Sequence, residues 1–321
     1  MEFKQGFTLT SVSNPIPKTA AVDPFAPISI FLEPGKNIGN WEGKGFNQIW
    51  RPLFGTPGQD RFLELNETLE TLGFDQIPGD IPNRGLLQPD INLHGLRYLQ
   101  QIADANVLDA NKKPSGIHVE PGIWLTVPPT TNPLDGPTLV RMGNIPHGTN
   151  FVAQGVAFPV INGAPTFQPV SITPFKIGQP SQLIQFPEST LTTVTNFRTP
   201  QKDRPNVTQA MVDNPNTVLA DAIAGKKIVS TTTFHVSTIP APPASPSSGG
   251  GEDNIAFLLG GAPGNAPNAQ AAQIEAIFWI ETEELPGGKQ QTLLQYSQRV
   301  LLNFNGLSWP HVSVATLIKK P

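Results

Sequence analysis

The chain has 321 residues, a net charge of −4, an isoelectric point near 5.7 and no cysteine. Disulfides, thiolate nucleophiles, cysteine zinc sites and cysteine-held heme or iron–sulfur clusters are therefore excluded, and without a Lys/Arg block neither nucleic acid nor a membrane surface is an expected partner. Charged residues make up only 14% and prolines number 35, about twice the usual share of ~5%, which disfavours a helical protein and fits strands joined by Pro-rich loops.

Residues 1–27 read as a polar, Pro-containing arm without the continuous apolar core of a signal peptide. No run of about 18 apolar residues appears anywhere, so no membrane helix is expected and a cytoplasmic protein is. The sequons at Asn66 and Asn206 are read as chance matches. From residue 28 a single β domain is expected to run to residue 321, interrupted by insertions at about 156–225 and 240–270.

ISIFLEPGKNIGNWEGKGFNQIWRP is strand-like, with glycines at 39, 43 and 45. FLELNETLETLGF and NLHGLRYLQQIADANV fit a strand or a helix equally by period. GIHVEPGIWLTVPP reads as a strand with a bulge or bend at Pro121-Gly122. TLVRMGNIPHGTNFVAQG reads as strand, turn, strand. Residues 156–225 are rich in Pro, Asn and Thr, with one short helix expected in NTVLADAIAGKK, and KIVSTTTFHVSTIP is a β-branched strand. PAPPASPSSGGGEDN reads as a surface loop. AQIEAIFWIETEEL and TLLQYSQRVLLNF form a hairpin around Pro286-Gly287-Gly288, and Asn305-Gly306 turns into the final strand. Many strands with short turns imply a barrel or a sandwich.

Five histidines are the main candidates for chemistry. On the final strand, alternation places His311, Ser313, Ala315 and Leu317 on one face, with small residues next to the histidine. That pattern suits either a satisfied strand histidine or a ligand to a metal or cofactor. His118 and Glu120, two apart, share a strand face, as half a metal site or as a base with an orienting carboxylate would. His147 reads as an exposed turn residue, His94 as a turn residue and His235 as a packed or solvent-facing strand residue. The five tryptophans read as core and rim, and could also line a site for a flat ligand. No H-E-x-x-H, G-x-S-x-G or P-loop is present, and the H-x-H pair of a cupin-like metal site is missing.

Several motifs, in order, resemble the nitrobindins, small heme-binding β-barrels of lipocalin-like shape. Gly39-Asn40-Trp41-Glu42-Gly43-Lys44-Gly45 resembles their G-x-W-x-G-x-G opening, and Leu96 to Gln100 their Y-x-Q strand. Ile117 to Trp124 is similar to L-H-x-E-x-G-Y, Leu139 to Gly155 to the next strand, turn and strand, and Trp309 to Leu317 to the closing P-H-L-S-A-x-L. The resemblance touches about a quarter of the chain.

It implies an all-β, antiparallel up-and-down barrel of nitrobindin or lipocalin type with long Pro-rich loop insertions. It implies heme b as cofactor, with His311 ligating iron, Ser313 and Ala315 small beside the porphyrin, Trp41 near it, and His118 as the distal, catalytic residue. It implies action on nitric oxide, peroxynitrite or peroxide, as a peroxynitrite isomerase or a peroxidase-like enzyme. Two other expectations stand beside it: an iron-free barrel carrying an apolar small molecule, and a heme-dependent enzyme acting on a larger organic substrate. The insertions leave room for a lid, a second lobe or a homo-oligomer interface.

Overall fold

A computed structural model describes residues 23–55, 59–239, 250–260 and 268–320. Ten strands form the barrel: β1 (Ile38–Pro52), β2 (Arg61–Gln76), β3 (Ile91–Leu108), β4 (Pro114–Val127), β5 (Thr138–Asn144), β6 (Thr149–Ala157), β7 (Ile228–Ser237), β8 (Gln270–Glu284), β9 (Gln290–Phe304) and β10 (Leu307–Lys319). Each pairs antiparallel with the next, and β10 returns to β1 with His311 opposite Ile49 and Lys319 opposite Trp41. Closure leaves no free sheet edge along this path, which is how an all-β chain avoids exposing unpaired backbone. Both stretches of ambiguous period, β2 and β3, are strands. Asn305 and Gly306 take positive φ (48° and 76°) and join β9 to β10, as a tight two-residue hairpin requires.

Alternation fixes which side chains enter the barrel. The lower interior is apolar and aromatic: Trp41, Leu72, Phe74, Leu96, Trp124, Phe234 and Phe278 are all buried in one core. A short 3-10 turn at Ile28–Phe31 plugs this end, and Phe31 stacks on Phe74 with ring centroids 4.5 Å apart. Residues 28–31 are therefore not part of the first strand, as their apolar run suggested. Trp41 Nε1 donates to Phe31 O (3.0 Å), and Lys319 Nζ donates to Ile30 O (2.7 Å) and Leu32 O (2.8 Å), which satisfies the plug's backbone oxygens.

The insertion between β6 and β7 lies on the outside of the barrel. It builds a second core with the outward residues Phe46, Trp50, Leu63, Leu65, Trp279, Val312 and Val314. Polar contacts tie it down: Trp50 Nε1 donates to Ile172 O (2.9 Å), Gln48 Nε2 to Met211 O (2.8 Å) and Gln295 Nε2 to Leu219 O (2.9 Å). Its helices are α1 (Gln209–Asp213) and α2 (Thr217–Ile223), the second being the helix expected from sequence. Residues Gly250–Asn254 pair with β6, so this part of the expected surface loop is strand; residues 240–249 and 261–267 lie outside the described residues.

The bulge expected at Pro121-Gly122 is absent, since β4 stays in register there; the irregularities of this pair fall between Ile102 and Ala103, where Ile117 of β4 is the extra residue, and between Asp104 and Leu108. Gly122 is needed for another reason: a Cβ there would lie 2.5 Å from the Tyr98 ring. His94 lies in β3 rather than in a turn, with Nε2 2.9 Å from Asp80 Oδ1.

Candidate functional site

Above the aromatic plug the barrel interior changes character. From β1 to β4 the inward positions become Asn47, Asn66, Thr68, Glu70, Gln100 and Glu120, all buried. The opposite wall stays apolar, with Phe151, Ala153, Ile274 and Val300. Buried polar groups must find partners in the interior, and two networks supply them.

In the first, Tyr296 OH donates to Glu70 Oε2 (2.6 Å), Thr68 Oγ1 to Glu70 Oε1 (2.8 Å), and Gln100 Nε2 to Tyr296 OH (3.0 Å). Burial outweighs these neutral donors, so the Glu70 carboxyl titrates above the usual carboxylate range. In the second, Arg141 Nη2 donates to Glu120 Oε1 (2.6 Å), Nη1 to Gln298 Oε1 (2.5 Å) and Nε to Tyr98 OH (3.2 Å), while Tyr98 OH donates to Glu120 Oε1. Burial opposes the Glu120 charge, yet Arg141, His118 and Tyr98 outweigh it and hold the carboxyl down to about 2.

Three histidines stand at this end. His118 Nε2 lies 3.4 Å from Glu120 Oε2, and its ring meets the His147 ring edge-on at 4.9 Å. His147 is exposed on the β5–β6 turn, where its sequence context placed it, but it has His118 as a neighbour. His311, on the inner face of β10, accepts from Asn47 Nδ2 through Nε2 (2.7 Å); the same amide donates to Ser313 Oγ (2.8 Å). An amide nitrogen can only donate, so the His311 proton sits on Nδ1. Burial, reinforced by the charges that His118 and His147 can carry, lowers His311 to about 3, so its imidazole is neutral at any ordinary pH. His118 and His311 both keep partial contact with solvent, so this end of the barrel is reached from outside.

The sequence-predicted residues separate into two groups. His118, His311 and Ser313 come together at the upper end. Trp41 does not: eight residues along β10 divide its partner Lys319 from His311, about 26 Å of strand, and its indole is fixed to the plug. Ala315 is fully buried in the core, where a Cβ on Gly45 would come within 2.8 Å of its own, so packing alone explains its size. His235 lies on the outer side of β7, paired with Glu275 at 3.0 Å. Asn66 points inward and is buried. Arg141, Tyr98, Gln298, Glu70 and Tyr296 were not singled out as site residues. The signal was present for Arg141 and Gln298: both occupy inward positions of strands, where a polar side chain needs a reason.

Comparisons with family models, curated proteins and solved structures match none of them to this chain. The closed antiparallel barrel is compatible with the calycin or lipocalin-like fold. Among the described residues no helix is long and apolar enough to cross a membrane.

The donor set can be tested against heme. Among the described residues no three His, Asp or Glu groups converge closely enough to hold a bare metal ion, so a centre built on His118 and Glu120 lacks a third ligand. An iron that takes its equatorial donors from a macrocycle needs only one neutral imidazole from the protein. His311 fits that requirement: it is neutral and already presents a lone pair at Nε2, which the Asn47 amide occupies and would have to yield.

Proposed function

We propose that the upper end of the barrel binds heme b, with His311 as the residue that would ligate its iron, and handles a small reactive nitrogen or oxygen species there. One observation carries this reading: His311 is a half-buried, neutral imidazole on the inner wall, at the same end as His118 and His147. The order of the nitrobindin-like motifs supports it from the sequence side. Bound heme would supply an open Lewis-acid coordination position for nitric oxide, peroxynitrite or peroxide.

The chain's own residues supply the rest. His311 needs no deprotonation to act as a ligand, because burial has already removed its proton. Glu120, ionised and fixed by Arg141, lies 3.4 Å from His118 Nε2 and orients that ring electrostatically. His118 can then donate to a small anion at this end, and His147 lies beside it on the solvent side. Phe151, Ala153, Ile274 and Val300 form the apolar wall that limits water. An apolar guest deep in an iron-free barrel has less support, since side chains fill the lower half and polar groups line much of the upper half.

The test is a hemin titration of the wild-type protein beside His311→Ala. The reading predicts a sharp Soret band that saturates at one heme per chain and is lost in the variant, with peroxynitrite decay accelerated only by the loaded wild type. A Soret band unchanged in His311→Ala, in protein shown by circular dichroism to be folded, rejects the assignment.

A further inference from the structure

A groove of about 1660 Å³ runs over the outer surface of the barrel, from α2 across β10, β1, β2 and β3, and ends over the barrel rim at Glu70, Ile102, His118 and His147, where it meets the histidine end of the lumen. Its floor follows from register. Leu293, Ile318, Glu42, Thr71, Gln101 and Val119 are successive cross-strand partners, so they form one outward row across six strands. Five strand spacings give that row a span of about 24 Å.

The composition is unusual for a barrel exterior outside the insertion's footprint. Leu69, Ala103, Val119 and Ile318 give the floor apolar surface between the exposed Glu42, Thr71 and Gln101, Leu293 being buried beneath α2, and Val218 and Ala222 of α2 wall one end. Ile318 and Val119 are exposed there, so the insertion stops short of covering the sheet it otherwise buries. Lysines complete the lining. Lys226 is neutralised by Glu283 (2.9 Å), and Lys320 by Glu42. Lys44, on the floor, and Lys113, at the β3–β4 end, have no carboxylate partner among the described residues. Two uncompensated cations beside a partly apolar floor stand out on a protein of net charge −4.

We infer that this groove binds an elongated amphipathic organic anion, a long-chain or polycyclic carboxylate, with its apolar body on the floor and its carboxylate drawn to Lys44 and Lys113. The charge arrangement selects this occupant: an uncharged hydrocarbon would leave both ammonium groups unused, and a cation would be repelled by them. The site does not depend on heme, and its test uses the iron-free protein.

The probe is cis-parinarate, a long-chain polyene carboxylate whose fluorescence rises on leaving water, compared with its methyl ester. Wild type should bind the acid saturably at one per chain. Lys44→Gln/Lys113→Gln should weaken acid binding about tenfold and leave ester binding unchanged, and Ala103→Trp, which fills the floor, should abolish both. His311→Ala should bind parinarate as wild type does, because His311 is not part of the groove although His118 and His147 line its rim; this separates the groove from the His311 position, so the heme reading can fail while this one survives. Absence of saturable binding overturns the inference. So does binding indifferent to both the lysine and the Ala103 variants, or binding lost in a folded His311→Ala protein, which would place the ligand in the lumen.

Discussion

Glu120 and Arg141 form an ion pair at 2.6 Å inside the barrel, with both side chains almost completely buried. The pair is not isolated. Tyr98 and Gln298 accept from the guanidinium, Tyr98 also donates to the first carboxylate oxygen, and His118 lies 3.4 Å from the second. Removing one member leaves the other charged without a partner, which costs far more than the pair itself contributes. Glu120→Gln should therefore destabilise the fold by about 3–5 kcal/mol in urea unfolding. The double variant Glu120→Gln/Arg141→Met should recover a large part of that loss, because no unpaired charge remains. A double variant no more stable than the single one would mean that the pair fixes the barrel's geometry as well as its charge balance.

His311 makes a second prediction. Its imidazole titrates near 3 in the fold against 6.5 ordinarily, because it is buried and lies near His118 and His147. Its ring resonances in a proton NMR titration should stay in the neutral position from pH 8 down to pH 4. The sign for stability follows. Between pH 6.5 and pH 3 the unfolded chain binds a proton at this position and the native chain does not, so stability falls as the pH drops through that window. His311→Gln should flatten this part of the profile. Protonation of His311 near pH 6 would contradict both the burial and its readiness as a ligand.

Much of the fold could be read in the sequence because barrels announce themselves locally. The Asn305-Gly306 turn, the Pro286-Gly287-Gly288 hairpin and the alternation on β10 each follow from the conformational demands of a few residues. β2 was harder for a physical reason. Its outward Leu63 and Leu65 are covered by the insertion, while its inward Asn66, Thr68 and Glu70 face a polar lumen. The usual rule of apolar in and polar out is therefore reversed along half the strand, and the pattern resembles a helix as much as a strand. The 3-10 plug was hidden for the opposite reason, since Ile28 and Phe31 are as apolar as any strand. In the site, His118 and His311 were legible as histidines on patterned strands. The roles of Gln298 and Arg141 needed the barrel to close before they could meet.

The plug gives a third prediction. Phe31 fills the lower mouth, stacked on Phe74 and edge-on to Phe234 at 5.5 Å. Phe31→Ala removes a fully buried ring from a site whose walls are rigid strands, so the cavity should collapse only partly. A loss of about 3–5 kcal/mol is expected. If heme binds at the far end as proposed, its affinity should stay intact at temperatures where the variant is folded, because the polar layer of Glu70, Tyr98 and Tyr296 separates the two ends. A hemin affinity that falls in step with stability would show that the ends are coupled.

Glu281 makes the last prediction, with a pH dependence opposite to that of His311. It points outward from β8, beneath the insertion, fully buried and with neither carboxylate oxygen hydrogen-bonded. Burial, and then the neighbouring Glu283 charge, push its titration up to about 8, with Lys226 only partly offsetting them. The group is thus protonated in the native protein at neutral pH and ionised in the unfolded chain above its ordinary 4.5. The native state then holds the extra proton, so stability is complete below about pH 4.5 and declines as the pH rises toward 8. The total decline is on the order of a few kcal/mol. Glu281→Gln is close in shape and cannot ionise, so its unfolding midpoint should exceed that of wild type at pH 8 and converge with it near pH 5. Parallel profiles for the two proteins across that range would mean that Glu281 is ionised in the fold, with a cation or buried water supplying what the protein's own side chains do not.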